Sequence, residues 1–248
     1  MRAILASLLL ALAPTAAAET AEEIMDKARE VRQVDSAVQR VRMVLVSKSG
    51  SERVREMKVS MKRGDDAIKS LFRFESPSDV AGTAFLQIDR DEGADEQMIY
   101  MPAIKRTNRI SSKGRKGSFM GSDFTYEDLD LGDEGDAQHT VAEDAADHWV
   151  VDTNPGDEST YGRIRSHVDK STYLAKKVEF FDDDGALIKT LTVTETTMSG
   201  DKHVAKVSVM KAEKGSATRL EVLEQRFDVP AEELPDDMFT QANLERGN

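Results

Sequence analysis

The chain contains no cysteine, so neither disulfides nor thiolate metal sites are available to it, and its fold must rest on a hydrophobic core. Positive charge is in the minority. Lys and Arg total 34 against 46 Asp and Glu, a net charge of −12 that argues against general nucleic-acid binding, which leaves a basic footprint. The four histidines, His139, His148, His167 and His203, are dispersed, and none stands in metal-ligand spacing. No G-x-S-x-G elbow occurs. The serines of Gly117-Ser118-Phe119 and Gly121-Ser122-Asp123 lack the strand-nucleophile-helix context, so no enzyme activity, catalytic residue, metal or cofactor is expected.

Long apolar runs are also missing. The one from Ala3 to Ala13 has about 11 residues, too few for a bilayer, which needs roughly 20. With Arg2 before it and Pro14-Thr15-Ala16-Ala17-Ala18 after it, it reads as a signal peptide, residues 1–18, that directs export to the periplasm. Without a cysteine to carry lipid, the exported protein is not expected to be a lipoprotein itself. No proline-, glycine- or serine-rich linker divides residues 19–248, which are read as one domain and a monomer.

What is present is a short helical pattern followed by many strands. Between Thr20 and about Val38, the positions Ile24, Ala28, Val31, Val34 and Val38 recur at three- and four-residue steps and predict one amphipathic helix. From Val41 onward, short alternating segments are separated by turns. Met57, Val59 and Met61 alternate with Lys58, Ser60 and Lys62, and Phe72, Phe74, Ala84, Leu86 and Ile88 are candidate inward positions. Gln97 to Met101, Lys105 to Ile110, two strands around Trp149 and five more after Tyr161 complete the set, with Asp183-Asp184-Gly185 as a hairpin turn. Roughly a dozen antiparallel strands, each with one polar face, predict a large curved meander. The tail after Pro230 is expected to be a turn of helix and an extended end.

One segment fits none of this. SFMGSDFTYEDL, Ser118 to Leu129, puts Phe119, Met120, Phe124, Tyr126 and Leu129 at spacings with neither a two-residue nor a 3.6-residue period. A lone long helix cannot cover so wide an apolar face, so this segment is expected to act as a lid over it, with a bound ligand as the other candidate cover. Before it lies a basic run, Lys105, Arg106, Arg109, Lys113, Arg115 and Lys116, which suits anionic head groups or an acidic partner but is also what a solvated hairpin presents. After it, Asp128, Asp130, Gly132, Asp133, Glu134 and Asp136 lack the order of an EF-hand and its closing Glu, and read as an acidic loop.

FESPSDVAGTAFL, MIYMPAIKRTNRISS, SFMGSDFTYEDL, YGRIRSHVDK with KKVEFFDDDGALIKTL, and FTQANLER together resemble the LolA-like outer membrane lipoprotein-sorting proteins, over most of the chain after the signal. Met98 stands where relatives tend to have Trp. The resemblance implies an incomplete β-barrel, a curved antiparallel sheet whose concave apolar face is closed by helices. It also implies a periplasmic carrier for the acyl chains of a lipoprotein or lipid. A permease of the resistance-nodulation-division (RND) superfamily and an outer-membrane acceptor are the implied partners. The alternative is a periplasmic lipid sensor or exporter accessory subunit that transports nothing.

A carrier must also let go. Burying about 16 carbons at ~0.8 kcal/mol per methylene gives roughly 12 kcal/mol before ordering costs, so a shallow, adaptable groove is favoured. Methionine suits such a groove, although each one is equally readable as core filler. The groove and lid candidates are therefore Met43, Met57, Val59, Met61, Phe72, Phe74, Leu86, Ile88, Met98, Tyr100, Phe119, Met120, Phe124 and Tyr126, with the six basic residues as head-group or partner contacts.

Overall fold

The computed structural model describes residues 18–130, 136–157, 159–200 and 202–246. The expected signal peptide lies outside them except for Ala18, as does the centre of the acidic stretch. Helix α1 spans Ala21–Glu30 and begins with a reciprocal cap: Glu23 N–H donates to Thr20 Oγ1, and Thr20 N–H donates to Glu23 Oε2. The expected helix ran to Val38, but Val34 lies in the connection and Val38 is already in strand β1, Ser36–Val46. The reason is pairing: β1 has a neighbour on both sides, so its backbone groups find ladder partners that a helix could not combine with this position.

The first meander continues with β2 (Glu52–Arg63), β3 (Ala67–Ser76), β4 (Ala84–Arg90), β5 (Glu96–Met101) and the short β6 (Arg106–Arg109). A second comprises β7 (Gln138–Asp144), β8 (His148–Asn154), β9 (Arg163–Asp169), β10 (Ala175–Phe181), β11 (Leu187–Ser199), β12 (Lys202–Ala212) and β13 (Ala217–Phe227). Antiparallel pairing of β1 with β13 fuses the two into one 13-stranded sheet, with β6 and β7 at its unpaired ends. It is curved and unclosed. Among the described residues no helix is long and apolar enough to cross a membrane.

On the concave face, cross-strand rows run Val41, Met57, Phe74 and Val59, Phe72, Phe85, Ile99. These join Phe180 of β10 and Met210 of β12 in one core cluster, which requires the sheet to wrap around its contents. At the β7 end of the same face, Ala21, Ile24, Met25 and Ala28 of α1 pack on Trp149, Val151 and Val168. Over β3 to β5 the convex face is covered too: Leu71, Ala84, Leu86 and Met98 lie under Val229, Leu234, Phe239 and Leu244, with Ile88 and Tyr100 alongside. That tail is not extended at its end but closes in helix α2, Gln241–Arg246. Leu86, Ile88, Met98 and Tyr100 are therefore not groove positions, and Phe85 and Ile99 take the inner places. Strands buried on both faces carry apolar residues in both phases of the alternation, so the phase alone does not identify the inner side.

Candidate functional site

The segment expected to be a lid is a knot pushed into the hollow of the sheet. Ser118 and Thr125 form a bridge, Phe119 N–H donates to Phe124 O at 2.7 Å, and Ser122 Oγ donates to Phe119 O at 2.7 Å. The turn between them needs left-handed backbone at Met120 (φ 51°) and Gly121 (φ 72°), a conformation natural to the glycine and strained for the methionine. The loop thereby drives Phe119 and Phe124 inward. Phe119 is fully buried, with ring centroids at 5.4–5.9 Å from Phe72, Phe74, Phe85 and Tyr126.

Hydrogen bonds tie the knot to both arms of the sheet. From the first arm, Arg55 donates to Met120 O and Gln97 Nε2 to Tyr126 O. From the second, Ser216 Oγ and Thr218 Oγ1 donate to the Asp123 carboxylate. Glu127 accepts from Ser159 Oγ and Thr160 N–H on the connection before β9. Asp128 meets Lys189 of β11 at 2.5 Å, with side chains only 3% and 7% exposed. It also accepts from Tyr161 OH at 2.7 Å and from Thr125 N–H. Burial pushes the Lys189 ammonium below its usual range against the pull of Asp128, and burial followed by the Asp128 charge pushes the Tyr161 phenol up. Asp123, Glu127 and Asp128 of this segment are thus anchors, and Asp130 pairs with Arg115.

Beside the knot, at the end of the concave face bounded by the β1–β2 and β12–β13 turns and the start of β11, is a cavity of about 1060 Å³. Leu45, Phe124, Tyr161 and Ile188 supply much of its apolar wall, and Lys48, Arg53, Lys116 and Lys214 lie among its lining. A smaller hollow of about 570 Å³ sits elsewhere against the segment and is lined by Met61, Ile68, Arg29, Arg63, Arg115, Asp95 and Asp130 among others. Near it the carboxylates of Asp89, Asp95 and Asp130 have oxygens within 4.8 Å of one another, a set that could hold a cation, but the guanidinium of Arg115 already pairs with Asp130.

Of the expected groove residues, Met43, Met57, Phe72, Phe74, Phe119 and Phe124 are buried in the central cluster, with Val59, Met120 and Tyr126 packed against it. Among all the expected contacts only Phe124 and Lys116 line the larger cavity. Leu45, Tyr161, Ile188 and the lysines of the two turns were not singled out. Leu45 lies on a recognised strand and Tyr161 opens a quoted motif, but nothing local in either marks a cavity wall. Of the basic run, Arg109 pairs with Glu96 and Arg115 with Asp130, whereas Lys105, Arg106, Lys113 and Lys116 have no ion-pair partner among the described residues.

A protein-family model matches residues 66–246, and the family it stands for is described as one of uncharacterized proteins. Comparison with curated proteins gives no match. Among solved structures, an outer membrane lipoprotein-sorting protein domain from Vibrio parahaemolyticus is 33% identical, with a TM-score of 0.81 over 90% of this chain and 97% of that one. A DUF1329 family protein from Desulfovibrio piger is 24% identical, with a TM-score of 0.82 over 92% and 100% of the two chains. A LolA superfamily protein from Nitrosomonas europaea is 21% identical, with a TM-score of 0.72 over 91% and 100%. The expected half-barrel is the observed fold, shared with the LolA superfamily protein, and the chain belongs to the outer membrane lipoprotein-sorting protein family.

Proposed function

We propose that the protein is a periplasmic, non-enzymatic carrier that shelters acyl chains of a lipoprotein or lipid beside the knot and moves them toward an outer-membrane acceptor, receiving them from an RND-type permease. The observation that carries this reading is the cavity of about 1060 Å³, walled by Leu45, Phe124, Tyr161 and Ile188 at the end of a sheet whose centre is filled. Its size stands just above the ~300–1,000 Å³ typical of small-ligand sites. A half-barrel without a closing strand also gives an elongated guest a way in and out without unfolding. Support for the class of cargo comes from the lipoprotein-sorting domain that the chain resembles at 33% identity.

The test is transfer of a fluorescent lipid from donor to acceptor vesicles by the purified protein. Uptake and hand-over are expected, and Ile188→Trp, which fills the cavity, should reduce uptake while leaving the melting temperature nearly unchanged. Stable binding without transfer, even with its permease supplied, would turn the reading toward a lipid sensor, and full uptake by the Trp variant would remove the cavity from it.

A further inference from the structure

Cations elsewhere in this acidic chain commonly have acids against them. Arg40 reaches Glu56, Glu75 and Glu224; Arg42 reaches Glu56 and Glu221; Lys62 and Lys69 share Asp236; Arg163 and Arg165 share Asp152. The larger cavity breaks that pattern. Lys48, Arg53, Lys116 and Lys214 line it, and none has an ion-pair partner among the described residues. The fifth lining cation, Lys189, is neutralised by Asp128. Two acids also line the cavity, Asp123 and Glu213, and Asp123 is already held by Ser216 and Thr218. Two positive charges are left over at this mouth in a protein whose net charge is −12.

These cations come from three separate stretches of chain, and the β1·β13 pairing gathers them. Leu45 is opposite both Arg53 and Thr218, so the β1–β2 and β12–β13 turns emerge side by side. Lys48 lies across the second turn, with its Cγ 3.5 Å from where a Cβ on Gly215 would stand. Lys116 joins the lining from the turn that leads into the knot. The result is an apolar wall with an uncompensated cationic mouth, and the complement of that shape is an amphiphile with an anionic head.

We infer that the cavity takes lipids whose phosphate head group carries a net negative charge, held by Lys48, Arg53, Lys116 and Lys214, in preference to lipids whose head group is zwitterionic or uncharged. The inference rests on the carrier reading of the same cavity and narrows its cargo. Head-group charge supplies selectivity while the wall supplies affinity, because exposed cations act on phosphate through a field that salt screens, and apolar burial does not discriminate between heads.

The experiment is titration of the mature protein with short-chain phosphatidylglycerol and phosphatidylcholine of equal acyl length. Both are used below their micelle concentrations, at low and high salt, with inorganic phosphate as a third ligand. Phosphatidylglycerol is expected to bind roughly tenfold tighter at low salt. The triple variant Lys48→Gln, Lys116→Gln, Lys214→Gln, whose changes are all at exposed positions, should lose that preference and keep its phosphatidylcholine affinity. Equal binding of the two lipids by the unaltered protein would overturn the inference and leave the carrier reading standing. Binding of neither would remove both. Inorganic phosphate binding as tightly as phosphatidylglycerol would overturn the assignment to lipid.

Discussion

Phe119 and Phe124 are five residues apart in one loop, yet they serve regions of opposite character. Around Phe119 the concave face is solid, with four aromatic rings within 6 Å and side-chain hydrogen bonds from Arg55 and Gln97 to the carbonyls of Met120 and Tyr126. Around Phe124 it is hollow, and the same loop becomes one wall of a cavity shared with two turns of the sheet and the start of β11. A half-barrel with a fully empty interior would expose a wide apolar face to water, whereas one filled throughout would have no room for a guest. Filling the centre from within the chain leaves one end to do the binding, and the acidic residues that pin the loop keep that division in place.

The largest effect expected from this contrast is at the centre. Phe119→Ala should cost ~3–5 kcal/mol, as for other large-to-small changes in a packed core, while Ile188→Ala at the cavity wall should cost under ~1 kcal/mol. Equal losses in chemical denaturation would erase the distinction between filled and hollow regions. Next is the anchor: Lys189→Met strands the buried Asp128 carboxylate and should cost ~3–5 kcal/mol, most of it recovered by adding Asp128→Leu. Failure of the double variant to recover would show that Asp128 also serves Tyr161 and Thr125 in a way an apolar residue cannot replace.

A smaller effect comes from β8 and β9, away from the knot. Arg165 donates to Asp152 at 2.7 and 2.8 Å, and with it Arg163, together holding the Asp152 carboxyl below its usual value. A depressed folded pKa means the contribution is complete above the unfolded value of ~3.9 and disappears as pH falls through the folded value. Asp152→Asn should therefore lower stability at pH 7 by ~1–2 kcal/mol and flatten the loss below pH ~4, read from melting curves across pH. The smallest is at the exposed basic run, where Lys105→Glu, Arg106→Glu and Lys113→Glu should each move stability by less than ~0.5 kcal/mol.

Much of the architecture was readable because it is local. The helical steps of Ile24 and Ala28, the alternation of Met57, Val59 and Met61, and the Asp183-Asp184-Gly185 turn each depend on neighbours a few residues away. The end of α1 was not readable, because Val38 satisfies a helical step and a strand step equally, and the choice came from pairing with β2 and β13. The inner positions of β4 and β5 were misassigned for a similar reason: the convex face is covered by a tail more than 120 residues away. The segment Ser118 to Leu129 was recognised as abnormal, and its aromatic content was the correct sign of burial. Its depth was not, since nothing within twelve residues says that Phe72, Phe74 and Phe85 would surround it.

By itself, the sequence determined that this is a cysteine-free, mainly β chain with one amphipathic helix, a succession of half-polar strands, and one aromatic segment that none of those elements could absorb. Hydrophobic period and turn residues act over a few residues, so they survive being read in one dimension. Only the tertiary structure decided that β1 closes on β13, how deep Phe119 of the segment is buried against the concave face, and that Lys48, Arg53, Lys116 and Lys214 meet at one mouth. Each of these is a contact between residues far apart in the chain, whose energy comes from burial and charge in a shared space that no local pattern encodes.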